Sequence, residues 1–146
     1  TGSLRRVELK RSGKIITTLD LYDLLLDGDT SADNALQPGD VIFVPTIAKQ
    51  ISVNGAVRRP AKYEILEENT LQDAVRLAGG TTERSVLSRV RIERLNEDFQ
   101  PEVRNFNYQE NKDNKILPGD LISVGIASGN VRNVVSITGP VENEGD

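Results

Sequence analysis

Arg58, Arg59, Lys62 and Tyr63 fall within six consecutive positions and form the compact basic and aromatic cluster of the sequence. Guanidinium groups grip carboxylates through charge-assisted hydrogen bonds, and an aromatic face supports stacking, so the cluster is a candidate site for a carboxylate-bearing ligand. The competing reading is structural: arginine stems lie solvated over a sheet edge and Tyr63 belongs to a core. Glu67-Glu68 and Glu142 with Glu144 are the carboxylate pairs that a glycosidase would need. Neighbours in one short stretch do not face each other across a sugar at roughly 5 to 9 Å, so solvated acidic loops are expected instead. Ser12-Gly13-Lys14 fails as a phosphate loop, because Glu8 stands where the first glycine belongs.

The residue types that are missing narrow the chemistry further. With 0 His and 0 Cys there is no imidazole base, no thiolate nucleophile and no soft ligand set for zinc, so no catalytic residue, metal or cofactor is expected. The absence of cysteine leaves the redox compartment open. Acidic residues outnumber basic ones by 22 to 18, a net charge of −4, which argues against a nucleic-acid partner. Hydrophobic residues at 37% and charged residues at 27% describe an ordinary folding chain of one or two small domains. The longest apolar runs, such as Val41-Ile42-Phe43-Val44, fall far short of the roughly 18 to 20 residues that span a bilayer. With 0 Met and a start at Thr1-Gly2-Ser3, the chain reads as a processed product or an excised fragment.

An internal repeat organises what remains. Leu36-Gln37-Pro38-Gly39-Asp40-Val41-Ile42-Phe43-Val44 aligns with Ile116-Leu117-Pro118-Gly119-Asp120-Leu121-Ile122-Ser123-Val124. Upstream, Leu4 to Arg11 aligns with Leu87 to Arg94, and downstream, Ile51 to Val57 aligns with Val135 to Val141. The offsets, 116 − 36 = 80, 87 − 4 = 83 and 135 − 51 = 84, describe two copies of a module of about eighty residues. Pro38-Gly39-Asp40 and Pro118-Gly119-Asp120 are expected to be structural turns, since proline suits the second position of a β-turn and glycine tolerates positive φ at the third. Leu121 to Val124 is therefore expected to be a strand.

Strand patterns dominate. Val7 and Leu9, then Ile15, Thr17 and Leu19, alternate with polar residues around Arg11-Ser12-Gly13-Lys14, which predicts a hairpin. Asn54-Gly55, between Ile51, Val53 and Val57, reads as a tight turn or a bulge. Leu71, Ala74, Val75 and Ala78 keep helical spacing, with Thr70 as cap and Gly79-Gly80 as stop. Leu21 to Leu26, ended by Gly28, is a second, shorter helix candidate. The fold class that follows is α+β: tandem β-grasp-like modules, small mixed sheets each with a packed helix.

The ordered set of motifs resembles a known family. Asp20 to Leu26, Gly28-Asp29, Leu36 to Pro45, Val53 to Pro60 and Thr70 to Gly80 are similar to the soluble-ligand-binding β-grasp (SLBB) repeats of bacterial outer-membrane polysaccharide, or capsule, export proteins. Pro60-Ala61-Lys62-Tyr63 departs from the usual Pro-Gly-x-Tyr, and the second copy carries Asn105-Phe106-Asn107-Tyr108 without a leucine-rich helix. The resemblance implies periplasmic, non-catalytic modules that stack into the wall of an oligomeric conduit. Its implied partners are the exported polysaccharide and other copies of the same protein. The alternative is a module that holds a soluble sugar or cofactor in its own pocket.

On this reading residues 1–48 are the C-terminal part of a first module and residues 49–126 a complete second one. Residues 131–146 open a third module or complete another with a strand. The first module then lacks its own opening strand, so it is expected to show an unpaired edge or a gap in its core, and Val135 to Val141 is expected to pair as a strand.

Overall fold

The computed structural model describes residues 1–129. The expected strand at Val135 to Val141 and the Glu142/Glu144 pair lie outside the described residues.

The chain forms two sheets. β1 (Val7–Arg11), β2 (Lys14–Leu19) and β3 (Val41–Phe43) make an antiparallel sheet in the order β2-β1-β3. The β1–β2 hairpin turns through Ser12 and Gly13, both at positive φ (50° and 76°), the geometry of a two-residue type I′ turn. The second sheet has five strands in the order β5-β4-β8-β6-β7: β4 (Gln50–Gly55), β5 (Ala61–Glu64), β6 (Ser85–Leu95), β7 (Pro101–Phe106) and β8 (Leu121–Ile126). Leu121 to Val124 is thus strand, as the repeat requires.

β4 and β8 lie side by side and parallel at the centre, while the β4–β5, β6–β8 and β6–β7 pairs are antiparallel. With helix α1 (Leu71–Leu77) between the two hairpin halves, this is β-grasp connectivity with β7 added at one edge. The helix begins with a capping box, Thr70 Oγ1 accepting from the Asp73 N–H while Asp73 Oδ2 accepts from the Thr70 N–H. Its face of Leu71, Ala74 and Val75, continued by Ala78, is buried against Ile51, Val53, Val90, Ile92, Ile122 and Val124. Each large aliphatic side chain in that core contributes roughly 1.5–3 kcal/mol through transfer from water.

Asn54-Gly55 is not a hairpin turn. It ends β4, and Gly55 (φ 83°) runs so close to β8 that a Cβ there would stand 2.0 Å from the Val124 carbonyl oxygen. The Leu21 to Leu26 candidate is helical only in part, widening into a π-helical turn over Asp23–Asp27 that Gly28 ends at φ 68°. A packed α-helix and a mixed sheet belong to the second unit alone, because no strand pairs with the outer edge of β3 among the described residues. The core suffers accordingly. Ile42 and Val44, the repeat equivalents of Ile122 and Val124, are 56% and 47% exposed, whereas Ile122 and Val124 are 0% and 2% exposed. Among the described residues no helix is long and apolar enough to cross a membrane.

Candidate functional site

The two units meet at Arg5. Its guanidinium donates to both Asp20 carboxylate oxygens, to Glu68 Oε1 at 2.7 Å and to the Glu64 carbonyl, and it lies 4.7 Å from the centre of the Tyr22 ring. Burial opposes the charge, but the hydrogen bonds to Asp20 and Glu68 outweigh it and raise the Arg5 pKa. Burial likewise pushes Glu68 up, yet the Leu66 N–H and Arg5 win and hold its carboxyl below the ordinary range. Ser3 Oγ donates to Glu64 Oε1 at 2.7 Å, and the Tyr22 hydroxyl accepts from the Glu64 N–H at 3.0 Å. A buried polar joint therefore fastens the start of the chain and the π-helical turn to β5 and the loop after it.

Beside this joint lies a groove of about 320 Å³ lined by Tyr22, Leu25, Leu26, Arg59 and Tyr63. The Tyr22 and Tyr63 rings meet edge to face, with centroids 6.3 Å apart. The Tyr63 hydroxyl donates to the Arg59 carbonyl, which fixes the ring against the segment that carries the Arg59 side chain. Burial raises the Tyr22 pKa, keeping its hydroxyl neutral at physiological pH. The π-helical turn supplies Leu25, which is 70% exposed. An aromatic pair, an aliphatic wall and an exposed guanidinium suit a small ligand with an apolar face and an acidic or hydroxylated rim.

The expected cluster is divided by this geometry. Arg59 and Tyr63 share the groove. Arg58 instead faces an open surface with Thr82, Glu83 and Arg84. Lys62 is exposed on β5, where strand alternation directs it away from the buried Tyr63. Tyr22, Leu25, Leu26 and Arg5 were not expected at the site. The sequence carried one signal, since only three tyrosines occur in the chain and Tyr22 interrupts a leucine-rich stretch. Glu67 and Glu68 do not form a facing pair, because Glu68 turns inward to Arg5.

Both Pro-Gly-Asp triplets form the same turn. Gly39 and Gly119 sit at φ 87° and 90°, the Asp40 and Asp120 N–H groups each donate 3.1 Å back to the residue before the proline, and each carboxylate accepts from that residue's N–H at 2.8 Å. The glycines are needed for the positive φ at the third position.

The chain thus carries a β-grasp module with an aromatic groove beside the joint that fastens it to the three-stranded sheet. Residues 50–103 match the family model of the SLBB domain. The matched span runs from β4 into β7 and leaves out β8, the strand that closes the sheet. No curated protein matches the chain.

Proposed function

We propose that the chain is a non-catalytic, periplasmic part of a polysaccharide export protein that contributes to the wall of an oligomeric conduit and contacts the exported polymer. SLBB domains occur in polysaccharide export proteins, and the SLBB domain is associated with binding and transport rather than catalysis. The observation that carries the reading is the fastening of an SLBB module to an architecturally related neighbour through the buried Arg5 joint. A conduit wall needs consecutive modules held at a fixed angle, and a desolvated ion cluster with hydrogen bonds from both units supplies that rigidity. Deleting the coding region for residues 50–126 in the producing cell is expected to abolish surface polysaccharide. Unchanged surface polysaccharide would overturn the reading.

The second reading, a module that binds a soluble sugar or cofactor, is favoured by one feature, the Tyr22–Tyr63 groove. Its volume is at the low end of small-molecule sites. Titration of the whole chain with neutral oligosaccharides and with cobalamin separates the two readings: saturable binding that Tyr22→Ala abolishes supports the second.

A further inference from the structure

The repeat places two grooves at equivalent positions, one on each sheet, and they differ in chemistry. In the first unit Leu9, Thr17, Leu19 and Asn34 line a groove of about 190 Å³. In the second unit Ile92, Arg104, Phe106 and Asn114 line one of about 300 Å³, joined by Arg94 and Lys115. The equivalence follows from pairing register: Leu9 opposes Thr17 and Val7 opposes Leu19, while Ile92 opposes Arg104 and Val90 opposes Phe106. Asn34 and Asn114 are 114 − 34 = 80 residues apart, the offset of the Pro-Gly-Asp turns, which also makes Ala35 the counterpart of Lys115. Thr17, Leu19 and Ala35 in one unit are therefore Arg104, Phe106 and Lys115 in the other. The first unit is an internal control for what the scaffold needs at these positions, namely small or aliphatic residues. Two cations and an aromatic ring exceed that need.

Three polar side chains of the second groove have partners within the chain before any ligand arrives. Arg94 is fixed by Asp120, Arg104 Nε donates to Glu102 Oε1 at 2.7 Å, and Asn114 Nδ2 donates weakly to Asn111 Oδ1 at 3.4 Å. Arg94 and Arg104 have carboxylate partners, whereas Lys115 makes no ion pair among the described residues. The groove thus offers one uncompensated positive charge. Around it stand a half-buried phenyl ring from Phe106 and paired donors and acceptors from Arg104, Glu102 and Asn114. Fixed planar hydrogen-bonding groups beside a ring face suit a polyhydroxylated ring, and the single spare charge suits one carboxylate on it.

We propose that the groove between β6, β7 and the Asn114–Lys115 segment is a subsite for one carboxylate-bearing sugar unit, such as a uronic acid, within a longer chain. The sugar's apolar face lies on Phe106, its carboxylate faces Lys115, and its hydroxyls pair with Arg104, Glu102 and Asn114. That the natural ligand is an exported polysaccharide rests on the export reading above; the binding chemistry does not.

The test uses the whole chain with trigalacturonate as the acidic probe and maltotriose as the neutral one, followed by amide chemical-shift changes and calorimetry. Trigalacturonate is expected to bind saturably, at least tenfold more tightly than maltotriose, with the largest shifts at Phe106 and Lys115. Lys115→Ala and Arg104→Thr, which install the first unit's residues at exposed positions, are each expected to weaken trigalacturonate binding at least fivefold without moving the melting temperature. Equal affinity for the two probes, unchanged affinity in both variants, or shifts centred on Tyr22 and Tyr63 would overturn the proposal. If deletion of residues 50–126 abolishes surface polysaccharide while trigalacturonate fails to bind, the subsite alone falls. If trigalacturonate binds here and the deletion leaves the polysaccharide intact, the export reading alone falls.

Discussion

Arg94 holds the Asp120 carboxylate with two parallel hydrogen bonds, Nε to Oδ1 and Nη2 to Oδ2, each 2.7 Å long. Arg11 holds Asp40 in the same way, with both bonds at 2.8 Å. Each lock ties the Pro-Gly-Asp turn to the end of the neighbouring antiparallel strand, so the register of the strand that follows is fixed at its start. Asp120 is fully buried, while the Arg94 side chain is 31% exposed. Removing the carboxylate leaves the Leu117 N–H without its acceptor and the guanidinium without its partner. Asp120→Ala is therefore expected to cost about 3 kcal/mol, read as a lower urea midpoint at constant m-value. A loss below about 1 kcal/mol would show that the turn holds its register without the lock.

The lock in the first unit sets an acid limit. Hydrogen bonds from Arg11, and then from the Gln37 N–H, pull the Asp40 carboxyl down to about 2. Its pKa in the unfolded chain is about 4, above the folded value, so this contribution to stability is complete above about pH 4 and disappears as the pH falls through about 2. Carboxyl carbon chemical shifts of Asp40 should titrate with a midpoint near 2, and Arg11→Gln should move that midpoint upward. A midpoint near 4 in the unaltered protein would contradict the observed pair.

These locks also show how far sequence reading reaches. The turns, the β1–β2 hairpin and α1 were legible because each is specified within about ten residues, by proline and glycine at turn positions, by alternation, or by Thr70 and Gly79-Gly80 at the two ends of a helix. Arg11 and Arg94 were already aligned in the repeat, as were Asp40 and Asp120, yet nothing local links an arginine to a carboxylate 26 residues away, as between Arg94 and Asp120. Lys62 and Tyr63 stayed in one expected cluster because β5 is only four residues long, too short for its alternation to stand out in the sequence. The Tyr22–Tyr63 groove and the Arg5 joint depend on how two units pack, and partners such as Tyr22 and Glu64 or Arg5 and Glu68 stand 42 and 63 residues apart. No periodicity reports contacts of that kind.

The open edge of β3 predicts an asymmetry between equivalent residues. Ile122→Ala removes a side chain that is 0% exposed and leaves a cavity between β4, β6 and α1, at an expected cost of about 3 kcal/mol. Ile42→Ala trims a side chain that is 56% exposed and should cost under about 1 kcal/mol. Chemical denaturation of the two variants side by side decides the matter. Similar losses would mean that the exposed face of β3 is covered in solution.

The Arg5 joint makes the final prediction, which concerns coupling between units rather than the strength of either one. Arg5 and Glu68 side chains are 7% and 9% exposed, so Arg5→Met leaves two carboxylates, Asp20 and Glu68, without the cation that faces them. Each carboxylate keeps one backbone partner, Asp20 from the Tyr22 N–H and Glu68 from the Leu66 N–H, and this should limit the loss to about 3 kcal/mol. The loss falls on the contact between units, because the hydrogen bonds of the joint come from Ser3, Arg5, Asp20, Tyr22, Glu64 and Glu68 and none from α1 or the central strands of the second sheet. The first unit, with its exposed β3 and no packed α-helix, should then melt below the second, turning one thermal transition into two when amide signals from β1 and β6 are followed separately. Arg76→Met serves as the control, since Arg76 reaches the same Glu68 only at 3.8 Å with a side chain 53% exposed, and it should shift stability by no more than about 0.5 kcal/mol. If β1 and β6 still melt together in Arg5→Met, the two units are fastened by something other than this ion cluster.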